Sequence, residues 1–232
     1  MIMMIDIHTH ILPYVDDGAR DITSSIQMIQ ESVHNGVTDL FLTPHYMRIR
    51  NYLSSATDNQ KIFFELQNEV VRQGIKINLH LGNEVYYTIN SLNDLRSKQV
   101  IPLGNSKMVL IEFSTTDEHE DIAEAIHNIT ALGFKPIIAH VERYPYFKEK
   151  DYLIVKKMGA LIQVNASSVI GKSGHDMQKI AIKLIKGKYA DFVASDIHLS
   201  RYNYMQEAHS FVTKKFGPAT AEKLFFNKSV LI

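Results

Sequence analysis

The 232-residue chain has no cysteine and no tryptophan, and its 25 basic and 25 acidic side chains cancel to a formal charge of zero. Without cysteine there is no disulfide framework, no thiolate metal cluster and no cysteine nucleophile, so any phosphoester or acyl chemistry must run by another route. A zero net charge argues against a nucleic-acid partner, which calls for a basic face. No run reaches the roughly 18 apolar residues of a membrane span. The apolar start, Met1 to Leu12, is interrupted by Asp6, His8 and His10 and lacks the charged n-region and long h-region of a signal peptide. A cytoplasmic protein is the expectation. No low-complexity tract, fixed-period repeat or long Pro/Gly/Ser linker divides the sequence, so one domain over residues 1–232 is expected. Hydrophobic residues make up 45%, enough for a sizeable core. The residue in excess is histidine, eleven in all, and neutral imidazole is the commonest metal ligand.

Apolar, β-branched runs alternate with helical patterns along the chain. Strands are expected at Ile2–Ile7, Thr38–Thr43, Ile75–Leu81, Met108–Phe113, Pro136–Ala139, Ala160–Val164 and Ala190–Ser195. Between them, Ile22, Ile26, Ile29 and Val33 recur at helical steps and stop at Gly36. Further apolar stripes run over Ile62–Val71, Ile122–Leu132 and Met177–Ile185, ended by Gly74, Gly133 and Gly187. Helix, glycine, then a buried strand is the grammar of βα units around a parallel sheet. Seven strands without a glycine-rich phosphate loop favour an α/β fold of the distorted (β/α)7, TIM-like barrel type over an open doubly wound sheet.

The residues that end these strands carry the chemistry. Strand one runs into Asp6-Ile-His8-Thr-His10 and then Asp16-Asp17-Gly18; the second ends in Thr43-Pro44-His45 and the third in Gly82-Asn83-Glu84. Glu112 ends the fourth, His140 the fifth, Asn165 the sixth, and Asp196-Ile-His198 the seventh. In an α/β barrel all C-terminal strand ends face one rim, where active sites are built. His8 and His10 share a side at strand period two, as do Asp196 and His198. His8, His10, Asp17, His45, Glu84, Glu112, His140, Asp196 and His198 exceed what one ion can hold, because single sites take four to six ligands. Two or three ions about 3.5–4 Å apart would use them, and the sulfur-free N/O set suits Mn²⁺, Fe²⁺ or Zn²⁺. The remaining histidines, His34, His80, His119, His127, His175 and His209, fall in helices, mid-strand or loops and are read as surface or satisfied positions.

Two arginines follow the ligands at close spacing, Arg143 after His140 and Arg201 after His198. A planar guanidinium binds phosphate oxygens through two parallel hydrogen bonds, so the pair implies a phosphoryl group as substrate head. Tyr14, Tyr46, Tyr86, Tyr87, Tyr144, Tyr146, Tyr202 and Tyr204 crowd the same loops and could stack on an aromatic leaving group or hold a peptide.

The segments Met4-Ile-Asp-Ile-His-Thr-His-Ile-Leu-Pro with Asp16-Asp17-Gly18, Thr43-Pro-His45, Gly82-Asn-Glu84-Val-Tyr-Tyr, Ile111-Glu112-Phe, Ala139-His140-Val-Glu-Arg143-Tyr and Ala194-Ser-Asp196-Ile-His198 resemble the PHP (polymerase and histidinol phosphatase) superfamily. The set is most similar to the manganese-dependent tyrosine-protein phosphatases of bacterial capsule and exopolysaccharide operons, over nearly the whole chain. That resemblance implies a trinuclear site. His8, His10, Glu84 and Asp196 would hold one ion; Glu84, Glu112 and His140 a second; Asp17, His45 and His198 a third. Arg143 and Arg201 would clamp the phosphate. Two departures stand out: Val141 replaces the usual proline of His-Pro-Glu-Arg, and Arg201 lies three residues after His198 where about five are usual.

The reaction expected is hydrolysis of phosphotyrosine by hydroxide generated at the metal ions, with Asp17 orienting water or protonating the leaving oxygen. By resemblance, the partner would be a phosphotyrosine protein, a bacterial tyrosine autokinase that controls polysaccharide synthesis. The alternatives are a small-molecule phosphomonoesterase such as histidinol phosphatase, a phosphodiesterase, or a metal-stabilised interaction module without turnover. Oligomeric state leaves no trace in the sequence.

Overall fold

The computed structural model describes residues 3–116 and 121–231. In chain order it builds β1 (Met4–Asp6), α1 (Ile22–His34), β2 (Val37–Leu42), β3 (His45–Tyr46), α2 (Ala56–Arg72), β4 (Asn78–Leu81), β5 (Glu84–Tyr86), α3 (Ser91–Arg96), β6 (Met108–Glu112), α4 (Ile122–Ala131), β7 (Lys135–Ile138), α5 (Glu149–Lys157), β8 (Leu161–Asn165), α6 (Ala166–Val169), α7 (His175–Lys186), β9 (Phe192–Ala194), α8 (Met205–Phe216) and α9 (Pro218–Phe225). Ile2, where the first strand was expected to begin, and His119 lie outside the described residues.

All strand pairs are parallel. β2 and β4 each continue past a short break into β3 and β5, which divides the ladder into three-stranded and six-stranded parts. The breaks fall at Thr43-Pro44 and Gly82-Asn83. Pro44 has no amide to give a ladder, and its carbonyl accepts instead from Glu84 N and Asn83 Nδ2, both at 3.1 Å. With each broken pair taken as one interrupted strand, seven strands stand in order. The last meets the first: Thr9 and Ile197 form a parallel bridge, His10 N donates to Ile197 O at 3.0 Å, and Asp196 N donates to His8 O at 2.9 Å. The sheet therefore curls into a distorted (β/α)7 barrel joined at its C-terminal rim, and the open-sheet alternative is set aside.

Strand alternation sorts the core into two layers. Ile5, Ile7, Phe41, Met108, Leu110, Ile137, Ala139, Phe192 and Ala194 fill the inside of the curl, with Leu103 and Val230 packed against them. Val109, Ile111, Ile138, Ile162 and Val193 face outward onto helix residues such as Ile26, Ile29, Ile126, Ile129 and Leu184. Each fully buried side chain of this size contributes about 1.5–3 kcal/mol. The strand expected from Ile75 starts only at Asn78, because residues 73–77 leave α2 through a turn. Helices α3, α5, α8 and α9 carry too few regularly spaced apolar residues to announce themselves; α8 buries only Met205, Ala208 and Val212.

Candidate metal centre

The rim gathers all nine singled-out ligand residues. The ligand atoms fall into four overlapping groups, each within 4.8 Å: His8, His10 and Asp196; His8, Glu84 and His140; His45, Glu84 and Glu112; and His10, Asp17, His45 and His198. Glu112 follows Met108 and Leu110 on the inward face of β6, so alternation alone aims it at the centre. His140 does not follow that rule. Ile137 on β7 and Ala139 just past its end point inward and Ile138 outward; His140 then takes a left-handed φ of 32°, which leaves the strand pattern. Asp196 also sits at positive φ, 52°. Such backbone is costly for residues other than glycine and concentrates at functional sites.

The innermost contacts are tight. His8 Nε2 and His10 Nε2 stand 3.2 Å apart, and each is 3.2 Å from Glu84 Oε2 and 3.5 Å from Asp196 Oδ1. His140 Nε2 lies 2.9 Å from Glu84 Oε1 and 3.6 Å from Glu112 Oε1. Towards the outside, Asp17 Oδ1 is 3.7 Å from His45 Nε2 and 3.5 Å from His198 Nε2. Glu84 faces both inner groups, one oxygen to each.

A surrounding shell of hydrogen bonds fixes these rings. Asp16 Oδ2 accepts from His10 Nδ1 at 2.8 Å and from His45 N at 2.9 Å, while its Oδ1 accepts from Gly18 N at 2.9 Å. Gln163 Oε1 stands 3.2 Å from His8 Nδ1 and accepts from His140 N at 2.8 Å. Gln163 Nε2 donates to Asn165 Oδ1 at 2.7 Å, and Asn165 Nδ2 donates to Asp196 Oδ2 at 2.9 Å. Buried Glu142 accepts from Asn165 N at 2.9 Å, and Tyr144 OH lies 3.4 Å from His140 Nδ1. Sequence reasoning gave none of Asp16, Gln163, Glu142 or Tyr144 this duty. A signal for Gln163 did exist, since Leu161, Gln163 and Asn165 share one face of β8 at period two.

These partners decide where each proton sits. With the Nδ1–H of His8 and His10 turned to Gln163 and Asp16, both Nε2 lone pairs face one another across 3.2 Å. Two lone pairs at that distance repel unless a cation lies between them. Glu84 Oε2, Glu112 Oε2 and His45 Nδ1 are likewise buried without a hydrogen-bond partner. Unpaired buried carboxylates are costly, so the donor set fits divalent ions bound in a mixed N/O shell.

Titration behaviour points the same way. Burial alone would lower His8 and His10, but the carboxylates beside them raise both, Glu84 and Asp196 for His8 and chiefly Asp16 for His10. Burial opposes ionisation of Glu84 and Asp196, yet the surrounding imidazoles hold both well below the usual carboxylate range. Burial and the neighbouring Glu84 charge push Glu112 up to about 8. Burial lowers His140 to about 4, helped by Arg143. The pocket draws positive charge, which a proton or a metal ion can supply.

Both expected arginines reach the cluster. Arg201 Nη1 donates to Asp196 Oδ2 at 3.1 Å and to Asp196 O at 3.3 Å, and Arg143 Nη1 lies 3.6 Å from the same Oδ2. The short spacing after His198 is accommodated by a turn in which Arg201 N donates to His198 O at 2.9 Å. The tyrosines divide. Tyr46, Tyr87 and Tyr144 are buried core residues, whereas Tyr14 and Tyr202 are exposed. Of the other histidines, His34, His127 and His175 are exposed. His80 lies 3.1 Å from Asp39 Oδ1 and stacks on Phe41, and His209 packs edge-on against Phe225 and Phe226. Among the described residues no helix is long and apolar enough to cross a membrane.

Residues 4–232 match the family model for capsular polysaccharide synthesis, CpsB/CapC. The tyrosine-protein phosphatase CpsB of Streptococcus pneumoniae is 33% identical over 234 residues, covering 96% of this chain and 95% of that protein. The tyrosine-protein phosphatase YwqE of Bacillus subtilis (strain 168) is 30% identical over 234 residues, covering 99% and 91%. A chain from the crystal structures of YwqE from Bacillus subtilis and CpsB from Streptococcus pneumoniae, metal-dependent tyrosine phosphatases, superimposes with a TM-score of 0.86 at 28% identity, over 94% of this chain and 90% of that one.

Proposed function

The chain belongs to the capsular polysaccharide synthesis family CpsB/CapC, and from that premise we propose that it is a metal-dependent protein-tyrosine phosphatase. Its substrate is a cytoplasmic phosphotyrosine protein, a tyrosine autokinase governing capsular or exopolysaccharide synthesis. The activity resides in one domain over residues 1–232, and the metal is Mn²⁺ in two or three ions, with Fe or Zn as substitutes. The observation that supports this reading most is the pair of facing His8 and His10 Nε2 atoms, enclosed by Glu84 and Asp196, beside two arginines directed at Asp196.

His8, His10, Glu84 and Asp196 would hold one ion, Glu84, Glu112 and His140 the second, and Asp17, His45 and His198 the third. Bound there, divalent ions supply Lewis acidity and lower the pKa of water from 15.7 towards about 7. Arg143 and Arg201 approach Asp196 together. They would grip non-bridging phosphate oxygens and stabilise the charge that spreads over them. Tyrosine leaves with a pKa near 10, so it needs less protonation than an alkyl alcohol. Asp17 is the partly exposed member of the set, and the His198 ring beside it holds its carboxyl below the usual range. It therefore stays ionised and is suited to orienting water, not to protonating the leaving oxygen.

The test measures bound metal in the purified protein, then compares turnover of a phosphotyrosine peptide, a phosphoserine peptide, histidinol phosphate and a phosphodiester with added Mn²⁺. Selective turnover of the phosphotyrosine peptide is expected. Preference for histidinol phosphate would place the chain among small-molecule phosphatases, and silence on every monoester with metals loaded would refute phosphatase activity.

A further inference from the structure

Each of the other six strands leads into a metal-ligand candidate at the rim, whereas β8 ends in Asn165, which is outside that set. The rim opens there. A cleft of about 300 Å³ runs from Asn165, Ser195 and Asp196 outward to Lys172 and Tyr202. Its direction follows from burial: Asp196 is 2% exposed and Tyr202 47%. Hydroxyls of Ser167, Ser173 and Ser200 also line it, and Ser173 Oγ donates to Ser167 Oγ at 2.8 Å.

The cleft carries two cations. Arg201 commits Nη1 to Asp196, but a guanidinium has five donors and this side chain is half exposed. Lys172 has no ion pair among the described residues, and the only carboxylate on the cleft wall is Asp196, which Arg201 already engages. Lys172 is nonetheless held in place. Its backbone N donates to Ser167 O at 2.8 Å, in a turn braced by Gln178 Nε2 donating to Val169 O at 3.3 Å. The chain's net charge is zero, so this is a local concentration of positive field at the mouth of the metal centre, where it can select and steer an anion.

We propose that this cleft is a second anion subsite, in which Lys172 binds an acidic group carried by the substrate peptide near its phosphotyrosine. The inference rests on the phosphotyrosine-protein reading above. A carboxylate and a second phosphate share the required chemistry: negative oxygens that accept from an ammonium and from hydroxyls. The metal centre engages the scissile phosphate, and the cleft reads the sequence beside it.

The experiment uses the Mn²⁺-loaded full chain and four phosphotyrosine peptides, flanked by glutamate, by a second phosphotyrosine, by alanine or by lysine. A small aryl phosphate, too short to reach the cleft, is the control. Wild type should favour the two acidic flanks over alanine by about three- to fivefold in kcat/KM, the size of a partly exposed ion pair. Lys172→Ala should abolish that preference and Lys172→Glu should reverse it toward the lysine flank, with aryl phosphate turnover unchanged in both. Whichever acidic flank gives the larger preference identifies the anion. Equal kcat/KM for acidic and neutral flanks in wild type, or an acidic preference that survives Lys172→Ala, would overturn the subsite. Fluorescence anisotropy with the same peptides bearing a non-hydrolysable phosphonate reads flank preference without turnover. The subsite thus stands or falls separately from the phosphatase reading, which falls if the aryl phosphate and every peptide are untouched.

Discussion

Gln163 and His8, 155 residues apart in the chain, meet through an Oε1–Nδ1 contact of 3.2 Å that keeps the ring proton on Nδ1 and turns Nε2 to the cluster. The same oxygen accepts the His140 amide at 2.8 Å. Gln163→Leu should therefore free the His8 ring and leave the His140 amide unpaired. Outer-shell losses of this kind cost about 10–100-fold in metal affinity, and an orphaned buried amide costs about 1–3 kcal/mol. Metal titration and thermal melting check both; a variant binding metal like wild type would show that Gln163 is packing alone.

Arg143 and Arg201 approach Asp196 without entering the ligand groups. Arg143→Ala and Arg201→Ala should keep their metals and lose turnover, by about a hundredfold or more for a donor that stabilises transition-state charge. Arg143→Lys should recover little, because an ammonium cannot form the paired hydrogen bonds of a guanidinium. Elemental analysis beside kcat decides this. Loss of metal from Arg143→Ala would remove the clamp assignment.

Metal uptake should release protons and strengthen as pH rises. In the metal-free chain Glu112 titrates at about 8 and so holds a proton at pH 7, while the carboxylates beside His8 and His10 keep both rings protonated to a higher pH than a free imidazole. His140, lowered to about 4, is already neutral there. A binding ion must displace the Glu112 proton and any that His8 and His10 hold. Affinity should then climb as pH rises through about 8, where Glu112 loses its proton. Calorimetry in buffers of different ionisation enthalpy reads the protons released at pH 7; a release of zero would contradict the protonation pattern.

The absence of cysteine makes a chemical prediction of its own. Chelation by EDTA should abolish activity and added Mn²⁺ restore it, while iodoacetamide should have no effect. Activity that survives complete metal removal, verified by elemental analysis, would rule out the metal route.

The seven strands were legible because β-branched runs end at glycine or at a ligand residue, and the barrel rule then gathers Glu84, Glu112 and Asp196 at one rim. The shell behind them was hidden. Asp16 next to Asp17 reads as an equivalent carboxylate, and only the fold shows that it faces the Nδ1 side of His10 while Asp17 faces His198. His140 was readable as a strand end but not as a departure from alternation, because a φ of 32° has no signature in a non-glycine residue. The break at Pro44 is written in the sequence, but a proline after a β-branched run marks a strand end as readily as an interruption. Lys172 lies in a loop with no motif around it, so its position beside Arg201 comes from the fold alone.

Gly18 supplies the sharpest separation of a site effect from a stability effect. A Cβ there would overlap the His10 carbonyl oxygen and crowd His10 Cβ at 2.6 Å. The turn that carries Asp16 and Asp17 lies directly on the strand end bearing His10, and Gly18 N is itself bound to Asp16 Oδ1 at 2.9 Å. Gly18→Ala must push that turn outward, moving Asp16 from the His10 ring and Asp17 from His45 and His198. Overpacking of this kind costs about 1–3 kcal/mol, and the ion proposed for Asp17, His45 and His198 should be the one lost. Gly133 is the comparison: its φ is +84° and a Cβ would meet nothing within 4 Å. Gly133→Ala should cost about 1–2 kcal/mol through backbone strain and leave metal content unchanged. Melting temperature and metal stoichiometry, measured on both variants, should fall together in Gly18→Ala and part company in Gly133→Ala. Full metal content in Gly18→Ala would mean that the Asp16–Asp17 turn does not position the third ion.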